Sequence, residues 1–178
     1  MPLYHFSEDA EIRVFHPHVA ATSVESDALV WAIDEWHAPM YYFPRKCPRA
    51  CFWPGPQTID EDRQRWFGGV AARMVITVES AWLERIRTTQ LFRYTFPDSS
   101  FRLHDATAGH WVSRESVEPV STEPVGDLLT ALTRSNVELR VTESLIEVWR
   151  EVIQSTLEFS GTRLRNAKGG KEPGNPNV

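Results

Sequence analysis

The sequence has no run of apolar residues approaching the roughly 20 that span a bilayer, so it offers no membrane-crossing helix. It also lacks an apolar h-region near its start, where "MPLYHFSEDAEIRVF" places acidic residues within the first ten positions, so no secretory leader is expected. Cysteine is scarce. Cys47 and Cys51 are the two in 178 residues, and without an export signal they are expected as free thiols in a soluble, cytoplasmic protein. Positive charge is not in excess either: 19 Lys and Arg stand against 24 Asp and Glu, a formal net charge of −5. That balance argues against broad nucleic-acid binding and leaves room only for a local basic groove. No GxGxxG, GxxxxGK[ST], HExxH or GxSxG pattern is present, which removes the common dinucleotide, P-loop, zincin and hydrolase-elbow signatures. No internal repeat is found.

What the sequence does have is a 42% hydrophobic content, enough to bury one core in a single α+β domain over residues 1–167. "PLYHFSED" reads as a short strand closed by turn formers, and "ALVWAID" as a strand ending at Asp34, which can cap a short helix in "EWHAPMYYF". Four prolines and three glycines between Pro44 and Gly69 read as a long ordered loop. "VAARMVITVES" is a strand, "AWLERIR" a short helix, and "QLFRYTFP" a half-buried strand with Phe92, Tyr94 and Phe96 on one side. "GHWVSRES" reads as a further strand and "VEPVSTE" as a proline-interrupted edge. Residues 124–166 change character to helix–strand–helix. Its last helix is read through "TESLIEVWREVIQSTLEFSG", with Ser144 and Glu147 at capping-box spacing, Trp149 on the apolar stripe and Gly161 as the stop. Residues 168–178 have almost nothing apolar to bury and are expected disordered.

Residues 28–53, "ALVWAIDEWHAPMYYFPRKCPRACFW", hold three of the seven tryptophans around a histidine, an aspartate and both cysteines. Trp31 opens a strand–turn unit and Tyr42 follows eleven positions later. A chain reversal between them can set two rings on either side of a flat heteroaromatic ligand, worth about 0.5–1.5 kcal/mol per ring beyond area burial. Tyr41 points to the other side and is assigned to packing, as are Trp36, Trp53, Trp66 and Trp82. A metal is the alternative use of this region. His16 and His18 share one side of an extended segment, and His5, His37, Cys47 and Cys51 could join them, although nothing in the spacing enforces convergence.

The segments "LYHFSED" and "WAIDEWHAPMYY" resemble the first two motifs of the ADP-ribosyltransferase-like superfamily, where a strand-end histidine is followed by two aromatic residues eleven positions apart. The resemblance implies a fold of split antiparallel and mixed sheets and a small-molecule nucleotide partner, NAD or a related ADP-ribose-type nucleotide. It places His5 on the adenosine ribose, Ser7 beside it, and Trp31 and Tyr42 around the nicotinamide. The superfamily's third motif carries a catalytic glutamate, and "GHWVSRESVEP" puts His110 at that position. Glu115 could substitute only if a bulge shifted the strand register. A neutral imidazole stabilises a developing oxocarbenium-like cation poorly, so a nucleotide-binding or protein-interaction module of the same fold without turnover is the second reading. The superfamily's RNA 2′-phosphotransferases hold phosphate with arginines; here Arg45, with Arg49 and Arg114 behind it, is the residue to do so. Over most of residues 3–167 the chain also resembles bacterial proteins of unknown function that share "LYHFSED", "AWLERIRTT" and "RLRNA".

Overall fold

The computed structural model describes residues 1–19 and 27–170, and their contacts gather into two compact units. Among the described residues the first comprises 1–42 and 90–126, the second 43–89 and 127–170. Residues 20–26 lie outside the described residues, as do residues 171–178 of the expected tail. Lys168 is described, and its backbone N–H donates to both carboxylate oxygens of the buried Glu79 at 3.0 and 3.1 Å.

The first unit is a six-stranded antiparallel sheet. It is built from β1 (Leu3–Ser7), β2 (Val30–Asp34), β5 (Phe92–Phe96), β6 (Arg102–Asp105), β7 (His110–Ser113) and β8 (Ser121–Pro124), in the order β6-β7-β2-β1-β5-β8. Side chains alternate between the two faces of a strand. On one face Leu3, Val30, Ala32, Tyr94 and Phe96 form an apolar cluster with Phe101 and Val117, against which Ile12 and Phe15 pack. The segment carrying those last two is tied down over the sheet: the Tyr94 hydroxyl donates to the Asp9 carbonyl at 2.6 Å and accepts the Ile12 N–H at 3.2 Å. Phe15 then exchanges backbone hydrogen bonds of 2.8 and 2.9 Å with Val117. The edge strand β8 is exposed throughout, as its prolines imply. β6 is a strand the sequence pattern does not announce, because it is short and polar.

The second unit holds a mixed sheet of β3 (Arg49–Trp53), β4 (Met74–Glu79), β9 (Val137–Thr142) and β10 (Glu158–Thr162), in the order β10-β3-β4-β9 with β4 and β9 parallel. Its helices are α1 (Asp60–Phe67), α2 (Leu83–Thr88), α3 (Leu128–Arg134) and α4 (Leu145–Val152). The class is therefore α+β with one antiparallel and one mixed sheet, as expected. Two boundaries differ. The Pro44–Gly69 stretch is not a loop: between Pro48 and Pro54 the chain makes the fully buried strand β3, and α1 follows. The last helix also stops early, at Val152, where the Ser155 hydroxyl donates to the Val152 carbonyl at 2.6 Å and Asp62 takes the Thr156 N–H and hydroxyl at 2.7 and 2.6 Å. The helix–strand–helix of residues 124–166 thus continues into a further strand, β10. Ser144 makes no side-chain cap to α4. Instead the Glu79 carboxylate accepts the Leu145 N–H at 3.2 Å.

Gly161 is not a helix stop but a close approach. It lies in β10, and a Cβ there would come within 2.7 Å of a Leu164 methyl and 2.8 Å of the Trp149 ring. Trp149, Leu145 and Ile146 pack α4 onto Ala50, Leu164 and Ala167. Trp149→Ala is expected to cost about 3–5 kcal/mol, and Gly161→Ala about 1–3 kcal/mol through overpacking, both read as shifts of the urea midpoint at unchanged slope.

Candidate functional site

The antiparallel register of β2 with β7 decides which side chains meet. Trp31 stands opposite Val112, and Ile33 opposite His110, so all four belong to the face opposite the Leu3–Phe96 cluster. On that face the half-buried Trp31 ring meets His104 edge-on at 4.9 Å and His110 at 5.8 Å. The Tyr41 hydroxyl and His110 Nε2 share a hydrogen bond of 2.8 Å. Burial pulls the His110 imidazole down from 6.5 to about 4, with His104 and His37 adding to the fall and Asp105 and Asp34 opposing it. His110 is therefore neutral at pH 7.

A second polar pair sits at the end of β2. Asp34 Oδ1 accepts the His37 backbone N–H at 2.9 Å, and the carboxylate accepts the His37 Nδ1–H at 2.8 and 3.0 Å. Burial works against ionisation of Asp34, yet the hydrogen bonds from His37 outweigh it and hold the carboxyl below its usual range. Asp34 does not cap the 3-10 helix at Ala38–Tyr41, whose N-cap is His37 with no side-chain cap hydrogen bond; it sets the turn that leads into that helix. Gly109 closes over the pair: its carbonyl accepts the Asp34 N–H at 3.1 Å, its φ is +68°, and a Cβ would collide with the His37 ring and the Asp34 carboxylate.

The residues singled out from the sequence fall in several places. His5 points to the apolar-cluster face, with its ring 4.8 Å from Phe15 and 6.3 Å from Phe96. The registered pairs of β1 with β2 are Leu3↔Asp34 and Tyr4↔Ile33. Beyond them the His5 Nδ1–H donates to the Trp31 carbonyl at 3.1 Å, satisfying an acceptor the ladder has left. Its neighbour Phe6 points the opposite way, and Tyr42 packs edge-on against Phe6 at 5.2 Å. The sheet therefore stands between His5 and Tyr42, and the cradle expected from His5, Trp31 and Tyr42 does not form. Ser7 closes a local turn, accepting the Asp9 N–H at 3.1 Å.

The roles of the two tyrosines are reversed from the sequence reading: Tyr41 meets the polar cluster, and Tyr42 packs. Glu115 is exposed beyond the end of β7 remote from His110, with its backbone engaged by the Ser113 hydroxyl. Arg45 is exposed in the second unit. Arg49, also in the second unit, is buried at 3% exposure, donates to the Cys47 carbonyl at 2.9 Å and lies 5.3 Å from the Phe43 ring centre. Arg114 pairs with Asp27 at 2.5 Å.

The metal alternative finds no convergence. Among the described residues no group of three or more His, Cys, Asp or Glu side chains is placed to hold an ion. His16 is hydrogen-bonded to the Ser116 hydroxyl at 2.9 Å. Cys47 and Cys51 are buried free thiols, both pushed up to about 12 by burial. A shallow cleft of about 290 Å³ runs past Glu11, Arg13 and Glu118, but it holds none of the clustered residues. Among the described residues no helix is long and apolar enough to cross a membrane.

His110 gives a pH-dependent signature. The unfolded chain takes up a proton near 6.5 and the folded chain only near 4, so between those values the unfolded state binds more protons and stability falls as pH falls. The loss should reach about 2 kcal/mol near pH 5, reduced by residual solvent screening. Urea midpoints of the native protein should drop between pH 7 and 5, and His110→Gln should flatten that slope; an unchanged slope in the variant contradicts the half-buried, neutral imidazole.

No curated protein and no solved structure matches the chain, so the resemblance to ADP-ribosyltransferase-like proteins gains no support from known proteins. A family model does match, over residues 4–167. It covers most of the sequence and both compact units, and the chain belongs to that family, DUF6886, a family of unknown function.

Proposed function

We propose that the chain binds a nucleotide of ADP-ribose type, NAD included, on the Trp31 face of the first sheet and acts on it by acid–base chemistry through Tyr41 and His110. The observation that carries this reading is the 2.8 Å hydrogen bond between Tyr41 and a half-buried, neutral His110 beside the half-buried Trp31 ring. A phenol and a neutral imidazole hydrogen-bond in either sense, with the hydroxyl donating to Nε2 or Nε2–H donating to the phenol oxygen. With Nε2–H donating to the phenol oxygen, the Tyr41 hydroxyl can act as the proton donor to a basic ligand atom placed against it. The Trp31 ring offers a surface for a flat heteroaromatic group.

The reading keeps the ligand class implied by the sequence motifs and changes the residues that meet it. Trp31 remains. His5 and Tyr42 give way to Tyr41, His104 and His110. The finer likeness to ADP-ribosyltransferase-like proteins rests on the two sequence motifs, and His110 at the glutamate position favours binding without glycosidic cleavage as the second reading.

Titration with ADP-ribose and with NAD, followed by tryptophan fluorescence, separates these outcomes. Saturable quenching is expected in the native protein, absent in Trp31→Phe, weakened at least about tenfold, or about 1.4 kcal/mol, in Tyr41→Phe and His110→Gln, and retained in His5→Gln. Nicotinamide release from NAD distinguishes turnover from binding alone. Quenching that depends on His5 and not on Trp31 contradicts the reading.

A further inference from the structure

The Trp31 face continues toward the edge of the sheet. Val112, opposite Trp31 on β7, stands in turn opposite Arg102 on β6. Directly paired residues share a face, so Trp31, Val112 and Arg102 form a row across three strands, and neighbouring strands lie about 4.8 Å apart. The Arg102 backbone is thus roughly 10 Å from that of Trp31, within reach of one extended arginine side chain lying across Val112. Arg102 precedes the register shift between Leu103 and Asp105, so the bulge does not turn it away. His104, beyond it on the same strand, has its ring on Trp31 at 4.9 Å.

Arg102 is exposed and, among the described residues, its side chain makes no hydrogen bond or ion pair. Other arginines of this unit are engaged: Arg93 pairs with Glu123 at 2.6 Å and Arg114 with Asp27 at 2.5 Å. The nearest carboxylate on β6, Asp105, is turned into its own turn, accepting the Thr107 and Ala108 N–H groups at 2.9 and 3.0 Å. A guanidinium not neutralised by its neighbours, one strand-row from an aromatic surface in a chain of net charge −5, is complementary to a ligand with a ring at one end and an anion at the other.

We infer that Arg102 is the anion-recognition residue of this site and that its ligand is a nucleoside phosphate, with the heteroaromatic ring at Trp31 and the phosphate at Arg102. This rests on the site proposed above and adds to it the requirement for a phosphate. Arg102 takes the part expected from Arg45.

Adenosine and AMP differ by that phosphate alone and are the probes. Calorimetric titration of the full chain at fixed ionic strength should show AMP binding at least about tenfold tighter than adenosine, with inorganic phosphate alone binding far more weakly than AMP. Arg102→Gln should remove the preference for AMP while leaving adenosine affinity within about twofold, and Arg102→Lys should keep part of it. Trp31→Phe should weaken both probes. If adenosine and AMP bind through Trp31 but the AMP preference persists undiminished in Arg102→Gln, the site stands and the Arg102 assignment fails. If neither probe binds, or binding ignores Trp31→Phe, the site itself fails and Arg102 with it.

Discussion

The pairing of β2 with β7 is the constraint on which the rest depends. Four registered pairs, Val30↔Ser113 through Ile33↔His110, fix the face on which Trp31 and His110 meet and hold β6 alongside with His104. Because side-chain direction alternates with every residue, a slip of one position would send Trp31 into the apolar cluster and His110 away from Tyr41. Gly109 enters β7 with a left-handed φ and accepts the Asp34 N–H, so the same turn that starts the strand also braces the Asp34–His37 pair. Pairing, turn and polar cluster form one structure.

The alternation that assembles this face also dismantles the first reading of the sequence. His5 and Phe6 are consecutive in an unbroken strand, so the partner that Tyr42 finds in Phe6 is one that His5 cannot share. His5 is left with a ladder role, its Nδ1–H on the Trp31 carbonyl. Its ring sits among Phe15 and Phe96 on the apolar-cluster face. His110, by contrast, is half-buried and hydrogen-bonded to a phenol, and its depressed proton affinity follows from burial against a balance of two imidazoles and two carboxylates.

Much of the fold was legible because its signals are local. Alternation in "QLFRYTFP", the strand end at the aspartate of "VWAID" and the apolar stripe through Leu145 and Trp149 each depend on neighbours in sequence. β3 escaped notice because prolines flank it, although a strand buried on both faces needs only five residues between them. The break after Val152 is made by Asp62, distant in sequence, and no periodicity announces it. The polar cluster was half legible. Asp34 was readable as the end of its strand, though it holds a turn and not a helix cap, and His110 was singled out by its motif, but the Tyr41–His110 pair spans 69 positions and exists only through strand register. Nothing local marks His104 or Arg102, since β6 is short and polar.

The central claim is that one face of the first sheet, carrying Trp31, His104 and His110, meets the ligand while His5 on the other face does not. Long-range proton–nitrogen spectra of the imidazoles, recorded with and without ADP-ribose, test it most directly. The resonances of His104 and His110 should shift with saturation and those of His5 should stay in place; movement of His5 with His104 and His110 unmoved would contradict the account.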